Sequence, residues 1–265
     1  EAASAVSALL NATQAASFGE LLTHLVTLEE ALWRVVRAGL PIMYERSRDG
    51  IPHCSEHIFY HVLRPLISSG SLIVQDQDGK GGTSEIKITG PSGAMSSLLP
   101  CVDACLGIKT SSQRLRQALD LFEQSMPKEH RQLLETLRSK PPIRTRIQHG
   151  APRDTELYEA LTRSFNRCIA RVLDFRWQHW QYVKNFIMKP GNISYAVGSG
   201  GTTFDYLQQH ITDTQEARLA EKGEFITRMA SPAEPDMLMV SRDLATAPVA
   251  YQRSLELWSV DGVNG

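Results

Sequence analysis

His179 stands in an apolar stripe: Val172, Val183 and Phe186 lie at i−7, i+4 and i+7, and Arg176 lies at i−3. On a helix these spacings share one face. An imidazole between apolar walls, with a guanidinium one turn away, matches what a buried heme requires. It supplies a nitrogen ligand for iron, a dry seat for the porphyrin and a cation for a propionate. A histidine hydrogen-bonded within an ordinary core has the same spacing, so the stripe alone leaves both readings open.

Three other groups could do chemistry. His57 and His61 are spaced as in zinc-binding helices, with His53, Cys54 and Glu56 close by, but the set completes no familiar ligand pattern. Histidines on a solvated helix face account for it better. Phe59, Tyr60 and Arg64 share one short segment, where rings could stack on an aromatic ligand and arginine could clamp a carboxylate. An arginine exposed at a helix end is the ordinary alternative. The glycine-rich GSGGT at 198–202 lacks the strand-before-helix setting of a dinucleotide loop and reads as a mobile loop or a linker. The sequence has no Walker motif, GxSxG elbow or HExxH.

Composition narrows the class. The chain has 265 residues, 42% of them hydrophobic and 22% charged, with a formal net charge of −1. That length can bury a sizeable core. The charge balance gives no reason to expect nucleic acid or an anionic membrane as partner. No apolar run approaches the roughly 20 residues of a membrane span, and no signal-peptide layout precedes the first helix. Cys54, Cys101, Cys105 and Cys168 form no CxxC pair and read as reduced, mostly buried thiols of a cytoplasmic protein. Cys101 and Cys105 are one helical turn apart, which suits a core face.

Helices must position these groups. Leu21, Leu22, Leu25, Val26, Leu32, Val35 and Val36 predict a helix over 20–38, ended by Gly39 and Pro41. Another is expected over 55–64, with Ser55 as N-cap and Pro65 breaking or kinking its end. SLIVQD and SEIKIT, around GKGG, predict a hairpin or irregular excursion within 71–89. Helices follow near 94–107, 111–125 and 127–139, with Pro127 in a first turn; the stretch from Lys140 to Asp154 reads as a long connection. The longest pattern runs from Asp154 to Met188 and stops at Pro190-Gly191. A last helix is expected from about Phe204 to Glu221. The sum is an all-α, multi-helix bundle, a class that builds cofactor sites from side chains on facing helices.

The order of these segments carries more information than any one alone. IFYHVLRP at 58–65, GPSGAMSSLLPCVDACLGI at 90–108, MPKEHRQLLETLRSKP at 126–141, FRWQHWQYVKNFIMKP at 175–190 and GSGGTTFDYL at 198–207 stand in succession. The chain resembles the indoleamine 2,3-dioxygenase family, specifically its large helical domain, from near residue 1 to about residue 218. The resemblance implies a heme-binding bundle over 1–222; the tail 223–265 has no counterpart in the family, carries little periodicity and reads as an extension packed on the same domain. The family's smaller N-terminal domain and distal-pocket helix would fall before Glu1. Trp177, Gln178 and Trp180 depart from the family's pattern and would retune heme or substrate.

By that resemblance His179 is the axial ligand of heme b iron, and Arg176, paired with Asp103, serves the cofactor. Ser92 and Gly93 are a turn against the heme edge, and Val172, Val183 and Phe186 are apolar walls. Phe59 would pack on an indole, with Tyr60 beside it as a second substrate-binding ring by its place in the segment; Arg64 would hold the carboxylate, and Ser199, Gly200, Gly201 and Thr202 would close over the amino-acid end. The implied enzyme is an oxidoreductase of tryptophan catabolism in the kynurenine pathway. It inserts O2 across the indole C2–C3 bond of L-tryptophan or a related indole, giving an N-formylkynurenine-type product. It needs an electron donor to keep the iron ferrous, and no catalytic dyad is required. The alternatives are a related histidine-ligated heme enzyme with monooxygenase or biosynthetic activity on another indole, and a heme-binding protein without turnover.

Overall fold

Residues 2–67, 70–75, 83–88, 90, 92–192, 198 and 205–221 are described by the computed structural model. The chain opens with α1 (Ala2–Gln14) and α2 (Phe18–Ala38) packed together. Ser17 starts α2: its hydroxyl accepts from Glu20 N–H at 3.2 Å, and the Glu20 carboxylate accepts from Ala16 N–H at 2.7 Å. This reciprocal bonding satisfies donors that a helix start leaves unpaired. Leu21, Leu25, Leu28, Leu32 and Val36 are buried, whereas Val26, expected on the same side, faces solvent. A 3₁₀ turn over Leu40–Tyr44 follows, with Pro41 at its start.

The segment expected over 55–64 is a continuous helical run through three registers: α3 (Glu56–Ile58), a π turn (Phe59–Leu63) and α4 (Arg64–Leu66). Ser55 occupies the N-cap position, but its side chain accepts no bond. Pro65 does not break the run. It has no N–H to give, and just before it the Arg64 N–H reaches the Phe59 carbonyl five residues back. The hairpin follows as β1 (Gly70–Gln75) and β2 (Thr83–Ile88), antiparallel with Gly70 opposite Ile88 and Gln75 opposite Thr83. Its expected GKGG turn lies outside the described residues.

Next come α5 (Leu98–Leu106), α6 (Gln113–Gln124), α7 (Lys128–Arg138), α8 (Ile143–Gly150) and the long α9 (Glu156–Val183). Pro127 sits at the N-cap of α7 rather than in its first turn. The stretch read as a long connection contains α8. On α8 itself only Ile143 and Ile147 are buried in the core, too few apolar positions to show a period. Arg146 on α8 donates to the carbonyls of Ala12, Thr13 and Ala15 at 2.8–3.1 Å, satisfying the end of α1. A second π turn (Lys184–Met188) extends α9 into α10 (Lys189–Gly191), and Lys189 N–H reaches the Lys184 carbonyl directly before Pro190. The last described helix is α11 (Asp205–Gln215); the tail 223–265 lies outside the described residues. Among the described residues the fold is all-α with one two-stranded sheet.

Two apolar clusters divide α9 between them. The main core joins α1, α2, α5, α7 and α8 to the first part of α9 through Leu161, Phe165, Cys168, Ile169 and Val172. A second cluster centres on Val183, Ile187 and Leu207, with Phe59, Tyr60, Trp180, Met188 and Tyr206 packed against it. The boundary falls between Val172 and Val183. Across α2 and α9, Arg171 pairs with Glu29 at 3.1 Å and lies over the Trp33 ring at 4.6 Å, a cation–π contact.

Candidate functional site

Arg176 and His179 occupy the boundary between the two clusters. Arg176 is 4% exposed, and its donors can be traced one by one. Nη2 donates to both Asp103 carboxylate oxygens at 2.6 and 2.7 Å. Nη1 donates to the Thr214 hydroxyl and, at 3.4 Å, to the His210 carbonyl. The Thr214 hydroxyl in turn donates to that same carbonyl at 2.6 Å. Arg176 Nε is buried with no partner among the described residues. Burial pushes the Asp103 carboxyl up, against the opposing pull of Arg176.

Local structure places Asp103 there. Its carbonyl accepts from both Gly107 and Ile108 N–H at 2.9 Å, closing α5 through Gly107 at φ +78°. A β-carbon on Gly107 would stand 2.9 Å from Pro142 Cβ, so glycine serves both the turn and the close approach of α8.

The His179 ring is partly buried and has no hydrogen-bond partner among the described residues. Burial holds its pKa below the usual histidine value, so it presents a neutral imidazole. A neutral ring nitrogen is the form that ligates iron. A heme carboxylate would satisfy the Arg176 Nε–H, whose burial without an acceptor among the described residues costs about 1–3 kcal/mol. On both counts the residues present fit a heme.

Phe59, Tyr60, Val183 and Phe186 come together next to this boundary. Phe59 is edge-on to Tyr182 at 5.3 Å and to Phe186 at 5.9 Å, Tyr182 stacks on Phe186 at 4.7 Å, and Tyr44 meets Phe186 edge-on at 5.3 Å. These contacts join the two π turns, each of which stands directly before an X-Pro pair. The Arg64 guanidinium lies 6.0 Å from the centre of the Tyr60 ring. Val172 belongs to the main core and is not part of this aromatic group. Ser92 and Gly93 stand at a 3₁₀ turn (Gly93–Met95) that packs on α6. Ser199, Gly200, Gly201 and Thr202 lie outside the described residues.

The His57 and His61 rings are 4.4 Å apart and exposed. Among the described residues no group of three or more His, Cys, Asp or Glu could hold a metal ion. Cys101, Cys105 and Cys168 are buried and unpaired, and burial pushes the Cys105 thiol up to about 12. A surface cleft of about 480 Å³, lined by residues including Arg153, Tyr158 and Thr162, opens beside the start of α9. It lies roughly 25 Å along the helix from His179 at 1.5 Å per residue, outside this site. No described helix is long and apolar enough to cross a membrane.

Sequence reasoning missed Tyr44, Tyr182, His210 and Thr214. Tyr182 follows His179 by one turn, so helical spacing could have found it. Thr214 and His210 share a face of α11, but their approach to Arg176 spans more than 30 residues of sequence and left no local signal.

The profile of the family described as indoleamine 2,3-dioxygenase matches residues 1–227. Indoleamine 2,3-dioxygenase 1 of Mus musculus is 28% identical over 199 residues, covering 67% of this chain and 46% of the relative. A 6-hydroxytryptophan 2,3-dioxygenase of Fusarium equiseti is 30% identical over 193 residues, covering 69% of this chain and 44% of the relative. A protein named myoglobin from Haliotis madaka is 26% identical over 178 residues, covering 62% of this chain and 44% of the relative. The chain thus spans under half the length of these curated relatives. With the family profile running through all the described residues, the chain belongs to the indoleamine 2,3-dioxygenase family.

Proposed function

We propose that this chain forms the heme-bearing helical part of a dioxygenase acting on L-tryptophan or a related indole. The observation that carries the reading is the pairing of a neutral imidazole, His179, with the buried Arg176 Nε–H, both without a hydrogen-bond partner among the described residues. In this assignment His179 ligates iron from α9, and Arg176, held by Asp103, meets a heme carboxylate. Bound heme would supply oxygen activation for cleavage of the indole C2–C3 bond, given a donor that keeps the iron ferrous. The protein's part is to orient the substrate and exclude water. Phe59 and its aromatic neighbours offer an apolar wall for an indole, and Arg64 offers a partner for its carboxylate. The relative named for 6-hydroxytryptophan supports substituted indoles as candidates beside tryptophan.

A second reading, a heme protein without turnover, draws support from the relative named myoglobin. Hemin titration of the parent and His179→Ala, before and after reduction, tests what the two readings share. A histidine-ligated heme spectrum in the parent alone is the expected result. Equal spectra would make His179 structural and end both readings. Mass analysis of the product from a tryptophan incubation then separates them, since dioxygenation adds two oxygen atoms.

A further inference from the structure

We infer that Thr214 is a positioning residue for the heme carboxylate clamp, making α11 part of the device that retains the cofactor. The inference rests on the heme reading above. A guanidinium has five N–H donors in a rigid fork, so fixing two edges aims the third. Asp103 from α5 fixes one edge of Arg176 through Nη2, and Thr214 from α11 takes the other through Nη1. What remains is Nε–H, the donor without an acceptor among the described residues. The Thr214 hydroxyl is itself aimed: by donating to the His210 carbonyl it turns its lone pairs toward Arg176.

The two anchors are braced against each other. Asp213 on α11 accepts at 3.1 Å from the N–H of Ser111, in the loop that joins α5 to α6. Gln209 donates to the Ser111 hydroxyl at 2.9 Å and to Asp213 at 3.0 Å. Helices α5, α9 and α11 thereby form a closed frame around one guanidinium. Thr214 is fully buried, so water cannot substitute for its hydroxyl from bulk solvent.

The test is the rate of heme transfer from the loaded protein to excess apomyoglobin, with the heme reduction potential as a second readout. Thr214→Val should lose heme about tenfold faster and shift the potential, while Thr214→Ser, which keeps the hydroxyl, should match the parent. Thr214→Ala serves the same purpose if the valine variant does not fold. Parent-like heme loss in Thr214→Val, or equally fast loss in Thr214→Ser, would overturn the role of the hydroxyl while leaving the heme reading intact. Failure of the parent to take up hemin would instead remove the heme reading itself and this inference with it.

Discussion

Gly191 lies so close to the Tyr60 ring that a β-carbon on it would stand 2.6 Å from Tyr60 Cζ. The glycine is what lets the end of α10 meet the π turn of Phe59–Leu63. Gly191→Ala must push an aromatic ring out of a packed cluster, and overpacking of this kind costs about 1–3 kcal/mol. The urea midpoint should fall accordingly. Tyr60→Leu in the Gly191→Ala background should recover part of the loss. An alanine variant as stable as the parent would show that the two π turns separate without cost.

Asp103 is the only carboxylate bonded to Arg176 among the described residues. Replacing it leaves a guanidinium that is 4% exposed without its counter-charge. Breaking a buried pair from one side costs about 3–5 kcal/mol; the partial exposure of Asp103 places this case at the low end. Asp103→Asn should therefore lower stability by about 3 kcal/mol. The double change Asp103→Leu with Arg176→Met should cost less than the single one. Equal losses would mean that the pair's worth lies in packing rather than charge.

His210 makes stability depend on pH. Burial, and then the neighbouring Arg176 cation, lower its pKa to about 3, with Asp213 pulling the other way. The unfolded chain takes up this proton near pH 6.5. Between those values the unfolded state binds the extra proton, so stability falls as pH drops through that window and the effect saturates below it. The raised Asp103 carboxyl acts in the opposite sense, and it is common to parent and variant. From pH 6.5 to 5.5 the parent should lose about 1 kcal/mol more than His210→Gln, near the limit of 1.4 kcal/mol per pH unit per proton. Parallel pH profiles in denaturant titrations would place the acid sensitivity elsewhere.

Periodicity made α2 and α9 legible because each carries an apolar face long enough to repeat several times. It failed at α8, where two isoleucines suffice because Arg146 binds the end of α1. The π turns were invisible for another reason: a wider register changes no residue type, and proline announces only that an N–H is missing. At the site, the stripe through Val172, Arg176, His179, Val183 and Phe186 was readable, but its division between two cores was not. Thr214 and Asp103 reach Arg176 from separate helices, and spacing along one helix carries no trace of such partners.

Arg64 offers the sharpest test of the substrate reading. It sits on the α3–α4 run rather than on the ligand-bearing helix, so replacing it should leave His179 in place and the heme spectrum unchanged. A hydrogen-bonded charge pair with a carboxylate contributes about 1.5–3 kcal/mol, which sets the scale for Arg64→Ala. L-tryptophan should bind at least about tenfold more weakly to the loaded variant, read from the shift it causes in the heme absorption band. Tryptamine has the same ring and amine without the carboxylate, and its affinity should barely change. Equal weakening of both ligands would assign Arg64 to the fold, through its cation–π contact with Tyr60. No change in either would leave the carboxylate without its proposed partner.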